Sequence, residues 1–276
     1  MNKICAVIVT YGNRAYLVKQ VVERAREEGI KEIILVDNGS PKYNNDSLKK
    51  LNVNLITLED NTGSAGGFRK GLIAASKSKM EYILCLDDDN ILQKGTINYL
   101  SSFLPLTNDV LFCMRYYDER FLTKTKRELE IKFLEKDILN VNSFCYFSID
   151  KAINTIRRLF SKRVPNNKEV YRTVANGYGG MFFNKHILSN VGYPNEKFYL
   201  YFDDIEYTYR MFKAGFRLYL LSRYKIKDID QTLIKGKARN MFDANNILEN
   251  IRHMSAGKLH YGYKNRVALE KNYNNK

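Results

Sequence analysis

Short apolar runs rich in β-branched residues recur through the first third of the chain, and each ends at a polar turn. Ile4 to Val9, Ile33 to Val36, Asn54 to Leu58 and Tyr82 to Leu86 are the four. Runs that are apolar almost throughout, rather than alternating, predict strands covered on both faces. Between the first two, Leu17, Val18, Val21, Val22 and Ala25 follow the 3.6-residue period of a helix, with Asn13 placed to cap it and Gly29 to end it. A glycine-rich turn, Asn61-Thr62-Gly63-Ser64-Ala65-Gly66-Gly67, precedes a second helix over about Phe68 to Ser78. Strand, helix, strand, strand, helix, strand is the rhythm of a mostly parallel sheet flanked by helices, an α/β fold.

The texture changes near residue 115. From Arg115 to Arg172 the chain is charged and helix-prone, and Ile149, Ala152, Ile153, Ile156 and Phe160 mark one apolar face among Lys151, Arg157, Arg158, Lys162 and Arg163. Such a helix lies on an anionic membrane surface or packs on its own domain with solvated cations. Gly177 to Gly180 returns to a turn-rich style, Arg217 to Leu221 is strand-like, and the tail from about 235 is polar and helical. The expected division is an α/β domain over 1–221, with 115–172 as a helical basic insertion, and a C-terminal helical segment over 222–276. No internal repeat or low-complexity linker interrupts it.

Composition adds a partner question. The chain of 276 residues carries a formal net charge of +15, which points to nucleic acid, an anionic lipid surface or a phosphorylated substrate. Nucleic acid fits least, because there is no Trp and no zinc-finger, helix-turn-helix or RNA-binding sheet signature. A basic solvated surface that keeps the protein in solution is the plain alternative. The four cysteines, Cys5, Cys85, Cys113 and Cys145, show neither metal nor disulfide spacing and suit reduced thiols of a cytoplasmic protein. The opening apolar run is shorter than a leader's core and is broken by Tyr11-Gly12-Asn13-Arg14, so it reads as an internal strand.

The chemistry concentrates in two acidic clusters. Tyr82-Ile83-Leu84-Cys85-Leu86 runs directly into Asp87-Asp88-Asp89. Folding gives no reason to gather three adjacent like charges, whereas a hard divalent cation such as Mg²⁺ or Mn²⁺ does, and it carries phosphates with it. Carboxylates at the carboxyl end of a parallel strand also sit where open α/β sheets bind ligands. Asp37 closes the second strand on the same edge and suits a ribose or base, or else it merely satisfies the turn Asn38-Gly39-Ser40. The glycine turn lacks the GK[ST] ending of a phosphate loop and serves equally well to start a helix close to a sheet; Arg69 and Lys70 after it suit phosphate or solvent. The second cluster, Asp203-Asp204-Ile205-Glu206, opens a helix within an aromatic stretch. A helix dipole alone accounts for carboxylates there, but aromatic surroundings also raise a carboxylate's pKa toward that of a useful base.

Taken in order, these motifs resemble the inverting, family 2 glycosyltransferases of GT-A fold. Val7-Ile8-Val9-Thr10-Tyr11-Gly12-Asn13-Arg14 is similar to the opening strand and loop, Val36-Asp37-Asn38-Gly39-Ser40 to the base-binding segment, and Asn61 to Phe68 to the glycine loop. Leu86-Asp87-Asp88-Asp89 stands where the metal motif does, Gly179-Gly180-Met181-Phe182-Phe183 resembles the acceptor-side segment, and Phe202 to Glu206 resembles the segment of the catalytic base. The Gly-Gly-Phe loop, the Asp triplet and the Asp-Asp-x-Glu cluster together resemble bacterial galactofuranosyltransferases, with rhamnosyltransferases next. Lys258 to Arg266 resembles a tyrosine-rich segment near the end of both groups, and the early stop after it is expected of a truncated C-terminus.

The resemblance implies an assignment. Thr10, Tyr11, Asn13, Arg14, Asp37, Asn61, Gly66, Gly67, Arg69, Asp87 and Asp88 hold a UDP-sugar, with UDP-galactofuranose favoured and dTDP-rhamnose the alternative. Asp87 and Asp89 ligate Mn²⁺ or Mg²⁺, and Asp228 is a third ligand in place of the metal-binding His of relatives, or else the metal is held by Asp87, Asp89 and the diphosphate alone. Asp204 is the base, while Gly179, Gly180, Asp203 and Glu206 contact the acceptor, a lipid-linked glycan of O-antigen or capsule type. The protein then sits peripherally at the inner face of the bacterial plasma membrane, where cations gain about 1 kcal/mol each near anionic lipid. Two rivals remain. A sugar-nucleotide nucleotidyltransferase needs a glycine-rich basic loop after the first strand, where this chain has Thr10-Tyr11-Gly12-Asn13. A non-catalytic basic membrane-binding module leaves both acidic clusters without a purpose.

Overall fold

The structure, a computed structural model, describes residues 3–116, 169–230 and 256–274. Among these residues nine strands form one sheet. Strands β1 (Ile4–Thr10), β2 (Glu32–Asn38), β3 (Asn54–Leu58) and β4 (Tyr82–Asp87) are mutually parallel and lie in the order β3-β2-β1-β4. Beyond β4 come β8 (Met181–Asn184), β6 (Asp109–Tyr116), β9 (Arg217–Asp228) and β5 (Asn90–Leu92), while β7 (Val170–Thr173) also pairs with β9. β8 runs antiparallel to both β4 and β6, and β6 and β9 are parallel, so the sheet is mixed but mostly parallel.

The apolar runs become strands because both faces of the sheet are covered. Successive side chains of a strand point to opposite faces. Ile4, Ala6, Ile8, Leu84 and Leu86 enter one core with Val18, Val21, Val22 and Ala25 of α1 (Ala15–Glu27). Cys5, Val7, Ile83 and Cys85 enter the other with Phe68 and Leu72 of α3 (Gly63–Ser76) and Tyr207 and Met211 of α6 (Asp203–Lys213). Three of the cysteines, Cys5, Cys85 and Cys113, are buried free thiols, while Cys145 lies outside the described residues. The remaining helices are α2 (Lys42–Lys49), α4 (Thr96–Ser101), α5 (Ile187–Val191) and α7 (Ala256–Asn274). None of the described helices is long and apolar enough to cross a membrane.

Several expectations are corrected. Asn13 does not cap α1; the first-turn amide of Ala15 donates instead to Asn44 Oδ1 of α2, a helix that the sequence pattern missed. α3 starts at Gly63 rather than Phe68, so the glycines lie inside its first turns. The stretch from Arg115 to Arg172 is β-strand at both of its described ends, β6 and β7; its interior, with the amphipathic pattern of 149–163, lies outside the described residues. The proposed boundary at 221 cuts through β9, which continues to Asp228 past a register shift opposite Cys113 and Met114. Residues 231–255 lie outside the described residues, and the tail is helical over 256–274.

Candidate active site

Register brings the first acidic cluster to one edge. Val9 pairs with Asp87 on β4, and Thr10 pairs with Asp37 on β2, so both carboxylates leave the sheet at its carboxyl end. Asp88 turns back: its Oδ2 accepts from Thr10 Oγ1 at 2.7 Å and from Arg14 Nε at 2.8 Å. Arg14 also reaches Asp89 at 3.5 Å and pairs with the buried Asp230. Asn90 ties the group together, donating to Asp89 Oδ1 at 3.1 Å and Asp228 Oδ1 at 2.7 Å while accepting from the Asp87 amide. Arg115, on β6, forms an ion pair through Nη1 with Asp87 Oδ2 at 2.7 Å and grips both oxygens of Asp228 at 3.1 Å. Asp89 is pushed up to about 7, first by burial and then by the charges of Asp228, Asp87 and Asp88. Asp88 is also raised, chiefly by burial, with Arg14 opposing.

The second cluster begins α6. The chain enters it through Tyr199, Tyr201 and Phe202, all at positive φ (57°, 65° and 60°). Non-glycine residues there cost about 1–3 kcal/mol each and persist only when their surroundings hold them. Here Asn265 of α7, itself buried, donates its amide to the carbonyls of Phe198, Leu200 and Tyr201. From the other side Gly63 presses against the same loop: at φ +71°, a Cβ on it would meet the Tyr199 carbonyl oxygen at 2.0 Å. The bent loop turns Asp203 and Asp204 back toward the sheet.

These two clusters face one cavity of about 220 Å³, whose walls include Asp87, Arg115, Tyr178, Asp203 and Asp204. A Cβ at Gly177 would lie 3.3 Å from Asp204 Oδ2 and 4.0 Å from Arg115 Nη1, which in turn lies 2.7 Å from Asp87 Oδ2. Those steps keep Asp204 and Asp87 within the reach of one small molecule. Asp203 accepts from Ser64 Oγ at 2.7 Å, whereas Asp204 Oδ1 takes only its own helix's amide at Ile205, leaving Oδ2 toward the cavity. Both carboxyls are raised, by burial first; neighbouring Asp204 adds to the effect on Asp203, and Asp87 adds to that on Asp204. The buried Tyr178 hydroxyl has no well-formed hydrogen bond and lies close enough to Asp203 to favour its ionised form.

The remaining expected residues divide. Tyr11 is exposed beside the cluster, with Asn13 exposed on the same loop. Asp37 is fully buried and accepts from Asn45 at 2.8 Å and the Ser40 amide at 3.2 Å, which is the turn-satisfying role. Asn61 receives the Gly63 amide and Asn38. Gly66 and Gly67 are places of close approach, where a Cβ would meet Thr62 Oγ1 at 2.2 Å and Val9 at 2.5 Å. Gly179 and Gly180 border the acidic edge: a Cβ at 179 would lie 2.4 Å from Asn90 Oδ1 and 3.0 Å from Asp87 Oδ2, and the Gly180 amide donates to Cys85 O. Of the expected side chains only Asp87, Asp203 and Asp204 line the cavity, and three others are claimed elsewhere. Arg69 turns to Glu196 at 3.2 Å and Tyr193, Glu206 is held by Arg210 and the Tyr273 hydroxyl, and Asp228 is enclosed by Arg115 and Asn90.

Arg115, Tyr178, Ser64 and Asn265 escaped the sequence reading. Each works through contacts with distant segments; Ser64 and Asn265 lie inside stretches marked by the resemblance, but their partners are not legible there. Among the described residues no three His, Cys, Asp or Glu side chains stand ready as a metal cage. The donor chemistry nevertheless fits a hard cation at Asp87 and Asp89: oxygen ligands only, with Asp89 raised first by burial and then by the carboxylates crowded around it.

The parallel strands feeding an acidic edge, together with a mixed outer half, define the GT-A fold of nucleotide-sugar enzymes. Residues 5–185 match the family described as glycosyl transferase family 2, and the chain belongs to it. It is 27% identical over 115 residues to the poly(ribitol-phosphate) β-N-acetylglucosaminyltransferase TarS of Staphylococcus aureus, covering 38% of this chain and 19% of that protein. It is 20% identical over 227 residues to the low-salt glycan biosynthesis hexosyltransferase Agl10 of Haloferax volcanii, covering 80% of this chain and 67% of the relative. In structure it is similar to S. aureus TarS 1–349 in complex with UDP-GlcNAc, with a TM-score of 0.53 at 16% identity, covering 82% of this chain and 57% of that one. It is also similar to GalNAc-T7 with UDP, GalNAc and Mn²⁺, with a TM-score of 0.52 at 14% identity, covering 82% and 43%. The chain spans about a fifth of the length of TarS in the sequence match.

Proposed function

We propose that this protein is an inverting glycosyltransferase that moves a hexosyl group from a UDP-sugar to a hydroxyl of a growing cell-surface glycan. The observation that carries the reading is the single cavity bounded by Asp87 on one wall and Asp204 on another. Asp204 Oδ2 takes the proton of the acceptor hydroxyl, whose oxygen attacks the anomeric carbon from the face opposite the diphosphate. The new C–O bond forms as the bond to phosphate breaks, and the electron pair leaves with the nucleoside diphosphate. Asp203, fixed by Ser64, orients a hydroxyl beside the base. Asp87 and Asp89 would hold Mn²⁺ or Mg²⁺, which when bound supplies positive charge to the departing diphosphate. The exposed Tyr11 offers a ring face to the base.

Galactofuranose is the first donor sugar to test, on the motif resemblance, and N-acetylglucosamine is the second, because the TarS complex holds UDP-GlcNAc. The charge of +15 supports an anionic membrane at the inner leaflet as the place of work and a lipid-linked acceptor. A screen of UDP-sugars for release of UDP, with Mn²⁺ and simple glycan acceptors, tests the reading. Release from at least one donor, abolished by Asp87→Asn, is expected. Failure of every UDP-sugar to bind or react would overturn it. Liposome binding insensitive to salt and to anionic lipid would remove the membrane placement alone.

A further inference from the structure

Arg115 stands where the cleft most needs positive charge. Its backbone is fixed by β6, paired through Arg115↔Ile226 and Tyr116↔Lys227 to the end of β9. That same strand carries Asp228, wholly enclosed, whose two oxygens take the Nε and Nη2 edge of the guanidinium at 3.1 Å each. A two-point grip of this kind is directional and strong. It leaves Nη1 projecting from the anchored group, and Nη1 meets Asp87 Oδ2 at 2.7 Å. Asp87 is about one-third exposed, whereas Asp228 has no exposed side-chain surface, so the Asp87 contact is the outer and more easily opened one. Gly179 makes the approach possible, since a Cβ there would lie 2.8 Å from Nη1 and 3.0 Å from Oδ2.

We propose that Arg115 is the resident counter-ion of the cleft and competes with the divalent cation for Asp87. A cation that takes Asp87 Oδ2 must displace Nη1, while Asp228 keeps the rest of the guanidinium in place. The inference rests on reading Asp87 and Asp89 as the cation's ligands. Two positive groups cannot share one carboxylate oxygen without strong repulsion in a partly desolvated cleft. Each binding event therefore works against an ion pair already formed. Asp228, expected from sequence as a ligand, is instead the anchor of the competitor.

Titration of the metal-free full chain with Mn²⁺, read by the electron paramagnetic resonance of the free ion, tests this without any turnover. Arg115→Gln is expected to bind Mn²⁺ at least tenfold more tightly than the parent. Because Arg115→Gln strands a buried carboxylate and can impair folding, the double variant Arg115→Gln/Asp228→Asn carries the same test with the buried pair neutralised. It too is expected to gain at least tenfold. Equal or weaker Mn²⁺ binding in a folded double variant overturns the role of Arg115 while leaving the proposed function intact. Absence of Mn²⁺ binding in the parent and both variants, with UDP present, overturns both.

Discussion

Asn265 holds the loop that aims the base, and its loss has a size that the contacts set. The amide has two N–H groups and serves three backbone carbonyls, those of Phe198, Leu200 and Tyr201. Asn265→Ala removes about two hydrogen bonds' worth of net stabilisation, about 1–3 kcal/mol, and strands buried carbonyls. It also releases Tyr199, Tyr201 and Phe202 from left-handed conformations that each cost about 1–3 kcal/mol to maintain. The expected result is a fall in melting temperature of about 5 °C, at about 2–4 °C per kcal/mol for a domain of this size. Asp203 and Asp204 follow that loop directly, and a base misplaced by about 1 Å costs about a hundredfold in rate. kcat should therefore fall by about 10- to 100-fold, with a smaller change in the KM for donor. Asn265→Asp places a carboxylate against three carbonyl oxygens and should be worse than Ala in both respects. Thermal unfolding with steady-state kinetics measures it. An Ala variant within 1 °C and twofold of the parent would refute the clamp.

Two further outcomes follow from the same geometry. A general base works as its carboxylate, so kcat/KM is lost as pH falls through the folded pKa of the Asp203–Asp204 pair. Burial raises both from the ordinary 3.8, which places the acid limb of the pH profile well above the usual carboxylate range; a profile flat down to about pH 4.5 would contradict the assignment. Gly63→Ala forces a Cβ into the Tyr199 carbonyl at 2.0 Å from a left-handed backbone, so it should destabilise the protein by more than about 2 kcal/mol in denaturant titration.

The half of the fold that the sequence announces is the parallel half, buried on both faces in β1, β2 and β4 and part-exposed only at the edge strand β3. β1, β2, β3 and β4 fall on the expected runs, and the apolar face of α1 is the expected one, because periodicity and burial coincide there. β6 has a buried apolar run, Val110 to Met114, that the sequence reading misses, whereas β7 and the second half of β9 are hidden among charges: Arg172, Lys225 and Lys227 interrupt their apolar pattern. The two acidic clusters were legible because like charges gathered without structural need stand out. That they share a cavity depends on the bent loop at 199–202, which no local signal encodes in Tyr and Phe. Arg69 and Glu206 look equally plausible as ligands in sequence, yet Glu196, Arg210 and Tyr273 claim them. The glycines 66 and 67 illustrate the converse, since packing against Thr62, Val9 and Asn38 accounts for them without a phosphate.

The central claim about the molecule is that the α6 carboxylate strips a proton from a substrate seated against the β4 edge. Asp204→Asn, assayed by calorimetric donor binding beside turnover, addresses that directly. UDP-sugar affinity should stay within about threefold of the parent while kcat drops by about 10²–10⁴, the usual contribution of a positioned base. Donor affinity falling in parallel with kcat, or turnover left intact, would contradict it.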